Sequence, residues 1–291
     1  MRARGITAGR DTLLHVLILK WVNMWGMEKT GPRVQLFLIL WGAGMAGVLS
    51  FLLVDLEALI ALVPMTEEQR QAMPPWFIIK LASVVQPAVL MTIAVLVGLW
   101  LAPKVGLHAP ASEALAEGRS FWDELRPQVV PGIITGIFSG IAIAGSWAIA
   151  RPFVSAEFAA RAEGFNKAMP AAVRFLYGGL TEEILLRWGV MTLFVWVVWR
   201  VLGKRAEGPA SWILVASIFA SALLFGIGHL PVASLLAGGE LTLPISIYII
   251  AANSLFGIVA GFLYWKRGLE SAMIAHIFTH VVLLAAVLIS M

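Results

Sequence analysis

The chain has 291 residues, of which 60% are hydrophobic and 13% charged, against roughly 45–50% and 25% in soluble domains. No core in water needs that much apolar surface, so the solvent for most of this chain is lipid. The net charge of +4 comes with no basic–aromatic pattern, which speaks against nucleic acid as a partner. The absence of cysteine excludes disulfides, thiolate zinc sites and thiol nucleophiles.

The N-terminus carries Arg2, Arg4 and Arg10 but no short apolar stretch followed by a small-residue cleavage site, so no removable signal peptide is expected. Residues 12–27 are apolar but interrupted by His15, Lys20 and Asn23. They read as an interfacial amphipathic helix, with an eighth membrane span as the alternative. A spanning helix needs about 20 apolar residues, and seven segments supply them: 34–54, 76–101, 129–150, 171–199, 211–230, 244–264 and 268–290. These runs are too long and too little alternating for barrel strands.

Three stretches read as linkers: 103–128, 151–170 between Pro152 and Pro170, and 200–210 with Gly203, Gly208 and Pro209. The expected fold is an all-α polytopic transmembrane bundle. Residues 1–165 form an N-terminal part with the amphipathic helix and three spans, and 166–291 a C-terminal helical part that carries the chemistry. With seven spans, fourteen Lys and Arg fall on the side of the N-terminus and five on the other. The excess predicts a cytoplasmic N-terminus in a bacterial-type plasma membrane.

Ionisable groups inside spans usually face a partner or a cavity. The span 171–199 contains Thr181-Glu182-Glu183-Ile184-Leu185-Leu186-Arg187. Read as an α-helix, Glu183 and Arg187 meet on one face, acid before base. Glu182 then points about 100° away, and one of the two acids is left without its own counter-charge. The span 211–230 ends Phe225-Gly226-Ile227-Gly228-His229-Leu230-Pro231, which places His229 at a helix end. The last span has His276 and His280 four apart, and Asn253 is a further polar group in 244–264. A Glu–Arg pair can simply lock two helices, and a single intramembrane His can bond a neighbouring carbonyl. A spare Glu and three His on three segments make a purely structural role a poorer account.

A carboxylate and an imidazole can share a water and remove its proton, and further imidazoles can bind the resulting oxyanion. Glu182 and His229 fit the first role, His276 and His280 the second. There is no His-Glu-x-x-His and no Gly-x-Ser-x-Gly, and Asp11, Asp55 and Asp123 all lie away from the centres of the spans. A paired-aspartate protease and a serine elbow are thereby excluded. Zinc held by Glu182, His229 and His276 stays open, since carboxylate and neutral imidazole suit it.

The order Glu182-Glu183-x-x-x-Arg187, Phe225-x-x-x-His229 and a final helix with His276 resembles the CPBP family of type II CAAX prenyl endopeptidases and bacteriocin-processing or self-immunity membrane proteins. The likeness covers roughly 170–285, and Gly257-x-x-x-Gly261-x-x-Tyr264, Arg267-Gly268-Leu269 and Ala275-His276 add to it. The resemblance implies an intramembrane endopeptidase whose cavity opens to lipid or the cytosolic face. It implies water activation by Glu182 and His229, support from Glu183 and Arg187, and oxyanion stabilisation by His276. The substrate it implies is a membrane-associated peptide or protein, such as a prenylated CAAX tail, with Phe225 and Asn253 as candidate contacts and lipid as the surrounding partner. One position departs: His280 stands where the family usually has Asn or Asp, so a non-catalytic scaffold or self-immunity protein is the alternative. A transporter or proton relay ranks below both.

Counting along straight helices places His229 near the outer end of its span and His276 near the inner end of its own. A common site therefore requires tilted spans or irregular backbone lining a cavity around 226–231.

Overall fold

The computed structural model describes residues 31–203 and 207–289; the amphipathic segment expected at 12–27 lies outside them. Among the described residues the chain is helical and has no strand. Seven helices are long and apolar enough to cross a membrane. Helix α1 (Pro32–Ser50) is followed by two short helices, α2 (Leu56–Ile60) and α3 (Glu67–Gln71). Then come α4 (Trp76–Val105), α5 (Pro110–Ala116), α6 (Phe121–Ala150) and α7 (Ala156–Ala168). The C-terminal part holds α8 (Ala171–Leu202), α9 (Ser211–Gly228), α10 (Leu230–Ala237), α11 (Leu243–Arg267) and α12 (Leu269–Ile289). Many large side chains on the spans, such as Phe77, Trp100, Phe138 and Ile149, are exposed on the outside of the bundle. That inversion of the usual surface suits lipid as solvent, and the protein is an integral membrane protein.

All seven expected spans are present, but the linkers between them are more ordered than composition suggests. Residues 103–128 are not a loop: α4 runs on to Val105, α5 fills 110–116, and α6 starts at Phe121, eight residues before the expected 129. Ser120 caps α6 by accepting from the Asp123 amide, a polar start that a hydropathy window does not register. Residues 151–170 likewise hold α7, capped by Ser155.

Close packing is set by glycine. Gly132, Gly136 and Gly140 recur every four residues on α6 and face α12. A Cβ at Gly132 would sit 2.8 Å from the Ile274 side chain, and one at Gly140 would sit 2.6 Å from Val282. The close approach lets the Thr279 hydroxyl donate to the Gly136 carbonyl at 3.1 Å. Small residues that admit a neighbouring backbone are the usual glue where lipid supplies no hydrophobic drive. Gly257 and Gly261 of α11 do the same against Ala222 and Ile218 of α9. One core runs through both halves of the chain, with Leu40, Met91 and Val95 packed among Ile184, Trp188, Phe256 and Tyr264.

The last helix does not start at the bundle surface. Leu269, Glu270, Ser271 and Ala272 are all buried. The Leu269 amide donates to the His108 carbonyl (3.1 Å) and the Ser112 amide to Glu270 (2.8 Å). Gln128 bridges the join, donating to Glu270 at 3.3 Å and accepting from the Ser271 amide at 3.0 Å. The turn into α12 uses Gly268 at φ 115, a left-handed value open to glycine. Residues 107–116 thus lie under the start of α12 as a floor, and His276 sits deeper in the bundle than its distance from the inner loop implies.

Candidate active site

Helix α8 carries the two acids and is not an ordinary α-helix. Residues Arg174–Glu182 and Ile184–Met191 form π-helix, bonded i→i+5. Such segments are rare and cluster at functional places. The expected 100° between Glu182 and Glu183 belongs to an α-helix and does not hold in this wider coil. The pairing of Glu183 with Arg187 survives, at 3.2 Å, with both side chains out of contact with solvent.

Arg187 is enclosed. It donates to the Gly257 carbonyl at 3.2 Å, and its guanidinium lies 5.0 Å from the Phe225 ring centroid and 5.6 Å from that of Phe256. Cation–π contact and a carbonyl make burial of the charge tolerable. Glu183 has a second partner, His276 Nδ1 at 2.7 Å. The imidazole is therefore held by a carboxylate behind it, and its Nε2 faces Glu182 Oε2 at 3.8 Å. Phe256 packs on the same ring at 4.2 Å between centroids.

His229 lies at the break between α9 and α10, where Pro231 prevents α9 from continuing unbroken. The chain does not leave the bundle there, as a helix end had suggested. Helix α10 carries it on to Ala237, so the break falls inside a stretch of 27 residues. The imidazole Nδ1–H donates to the Phe225 carbonyl at 2.8 Å, which leaves Nε2 as the free, basic nitrogen. The Phe225 ring stands between the two imidazoles, 4.7 Å from His229 and 6.1 Å from His276. The buried start of α12 and the broken α9–α10 stretch together remove the mismatch in height that straight helices imply.

Glu182, His229, Phe225 and Tyr177 line one groove of about 420 Å³ between α4, α8 and α9. Apart from those three polar side chains its wall is apolar, with Leu90, Ile93, Leu186 and Leu224 among the lining residues. Leu90, Ile93 and Leu224 are also exposed on the outside of the spans, so the mouth opens on the lipid-facing surface. The cavity expected around 226–231 is present, with Gly228 in its wall.

The other candidates fall elsewhere. His280 stacks on His276 at 4.9 Å between ring centroids, and neither imidazole is among the residues that line the groove. Gly178 makes room for it, since a Cβ there would come within 2.6 Å of His280 Nε2. Asn253 donates back to the Ile249 carbonyl of its own helix and does not line the groove. For zinc, no three His, Asp or Glu side chains among the described residues are grouped closely enough to hold an ion. The Nδ1 atoms of His229 and His276 are already engaged.

Sequence reasoning missed Tyr177, Phe256 and Gly178. Tyr177 lies five residues before Glu182, a spacing that shares a face when hydrogen bonds run i→i+5 but is off-face in an α-helix.

Residues 164–282 match the model of a family described as type II CAAX prenyl endopeptidase Rce1-like. The match contains every polar and ionisable site residue named above, while Leu90 and Ile93 of the groove wall lie outside it. No curated protein and no solved structure matches the chain.

Proposed function

We propose that this protein, whose residues 164–282 match the type II CAAX prenyl endopeptidase Rce1-like family, is an intramembrane endopeptidase in which Glu182 and His229 activate the attacking water. The observation that carries the reading is the shared groove: Glu182 and His229 line one lipid-side space, and His276 Nε2 lies 3.8 Å from Glu182. Glu182 takes a proton from the water, and His229 Nε2 accepts its other hydrogen and fixes its direction. Hydroxide adds to the peptide carbonyl. The C–N bond then breaks, and the proton held on Glu182 passes to the leaving amine.

His276 serves the oxyanion. One proton occupies its 2.7 Å contact with Glu183, and with that proton on the carboxyl the neutral imidazole carries its own on Nε2, a donor on the side of Glu182. In that state the charges of Glu182, Glu183, Arg187 and His276 sum to zero, which suits a dry site. The apolar groove wall favours a substrate carrying a lipid or an apolar segment beside the scissile bond, such as a prenylated CAAX tail. A second reading, a non-catalytic scaffold or self-immunity protein, draws on His280, which stands where the family usually has Asn or Asp and stacks on His276.

The test is cleavage of a farnesylated peptide ending in CAAX, with a fluorophore and quencher flanking the bond, by protein in lipid nanodiscs. Glu182→Ala and His229→Ala each lower kcat/KM by about 10³-fold, within the range for general acid–base groups. Cleavage that persists in both variants refutes the mechanism. An inert wild type that still captures a membrane partner favours the scaffold.

A further inference from the structure

We propose that the Tyr177 hydroxyl is a further catalytic group, donating a hydrogen bond to the scissile carbonyl oxygen as it becomes an oxyanion. The proposal rests on the endopeptidase reading and extends it to a residue outside the motifs that identify the site.

The geometry comes from the π-helical stretch of α8. With bonds running i→i+5, Tyr177 lies one turn before Glu182 on the same side of the helix, and both side chains line the groove with His229. One turn is about 5 Å along the axis, the scale of a carbonyl and its attacking water. The residue between the Tyr177 turn and the oxyanion side is Gly178, and a Cβ there would lie 3.5 Å from His276 Nε2. Since that same Nε2 is 3.8 Å from Glu182, the imidazole donor is bracketed by the turn that bears Tyr177 and the turn that bears the base.

The phenol is fixed and free at once. Its ring meets Phe51 edge-on at 4.6 Å between centroids, which holds the ring from the side of α1. Its hydroxyl has no hydrogen-bond partner among the described residues. A phenol in the wall of an apolar groove, with no hydrogen-bond partner, gains one when a carbonyl arrives beside it. An oxyanion needs more than one donor to be well stabilised. His276 supplies one from beside Glu182, and Tyr177 is the one side-chain O–H among the residues that line the groove. The step makes no covalent bond at Tyr177; the hydroxyl keeps its proton throughout.

Tyr177→Phe keeps the ring and its Phe51 contact and removes only the donor. It is expected to lower kcat about 10²-fold, the size found for losing one oxyanion donor, with KM within about twofold. The assay is the same farnesylated reporter peptide in nanodiscs, with Glu182→Ala in parallel. Wild-type kcat in Tyr177→Phe, beside an inactive Glu182→Ala, overturns this proposal alone. Activity surviving in Glu182→Ala overturns the endopeptidase reading beneath it. If Tyr177→Phe does not fold, 3-fluorotyrosine at 177 gives the readout instead. A donor must be protonated, so the more acidic phenol moves the alkaline limb of the kcat profile to lower pH; an unmoved limb refutes the role.

Discussion

Two buried carboxylates of this protein are treated in opposite ways. Glu270 opens α12 and spends its oxygens on neutral donors, the Ser112 amide and the Gln128 side chain. Glu183 faces a guanidinium and an imidazole, and its Oε2 has no hydrogen-bond partner. The first arrangement is a staple, because each donor is fixed by backbone or by a second bond and no proton needs to move. The second couples a fixed charge to a group that can gain or lose a proton. Inside the same bundle, position and depth are held by amides, and chemistry is left to ionisable pairs.

Removing each acid separates the two roles. Glu183→Ala leaves Arg187 buried with only a carbonyl and two rings, and breaking such a pair costs about 3–5 kcal/mol. Cleavage is expected to vanish together with much of the resistance to denaturant in detergent, and Glu183→Gln restores stability in part without restoring turnover. Glu270→Ala strands one amide and one side-chain donor, a cost of about 1–3 kcal/mol. It keeps measurable cleavage, and Glu270→Gln recovers most of the stability through the Ser112 bond. Equal loss of turnover in Glu183→Gln and Glu270→Gln would erase the distinction.

The spans were legible because lipid demands long apolar runs, and 34–54 or 244–264 need no partner to be recognised. The Glu183–Arg187 pair was legible because four-residue spacing brings the two together in the α-helix and in the wider coil alike. What sequence did not carry was depth. Leu269 to Ala272 look like an ordinary span entry, and only Ser112, Gln128 and Glu270 meeting across more than a hundred residues put them inside. Tyr177 was hidden for a related reason. The i→i+5 bonding of α8 begins where Gly178 and Gly179 pack closely on His280 and Ile277, which lie about a hundred residues away.

That packing is itself open to test. Gly178→Ala places a Cβ 2.6 Å from His280 Nε2 and 3.5 Å from His276 Nε2. At 2.6 Å the His280 ring must give way, and the shift it passes to His276 costs about 10-fold in kcat where alignment matters. The floor and its Glu270 contacts are untouched, so stability changes little. Adding His280→Ala opens the space behind His276, and the double variant is expected to regain turnover relative to Gly178→Ala. No regain would mean that the wide coil, not the imidazole stack, is what the glycine protects.

The smallest expected effect lies in the floor below α12. His108 sits 3.3 Å from Glu113, and their hydrogen bond raises the imidazole pKa above its ordinary 6.5 despite partial burial. Glu113 also accepts from the Ala109 amide, which ties the pair to the first turn of α5. The folded form binds the His108 proton more tightly than the unfolded form. The pair's contribution is therefore full below pH 6.5 and fades as pH rises through the raised folded value. With the imidazole half exposed, solvent screens the attraction, and the change is confined to local opening. Amide exchange over 107–116, corrected for its intrinsic pH dependence, is expected to quicken modestly just above neutrality, while exchange over 174–191 does not. Glu113→Gln flattens that dependence. A pH response of the same size in Glu113→Gln would assign it to another group and leave the floor a purely apolar and amide-bonded support for His276.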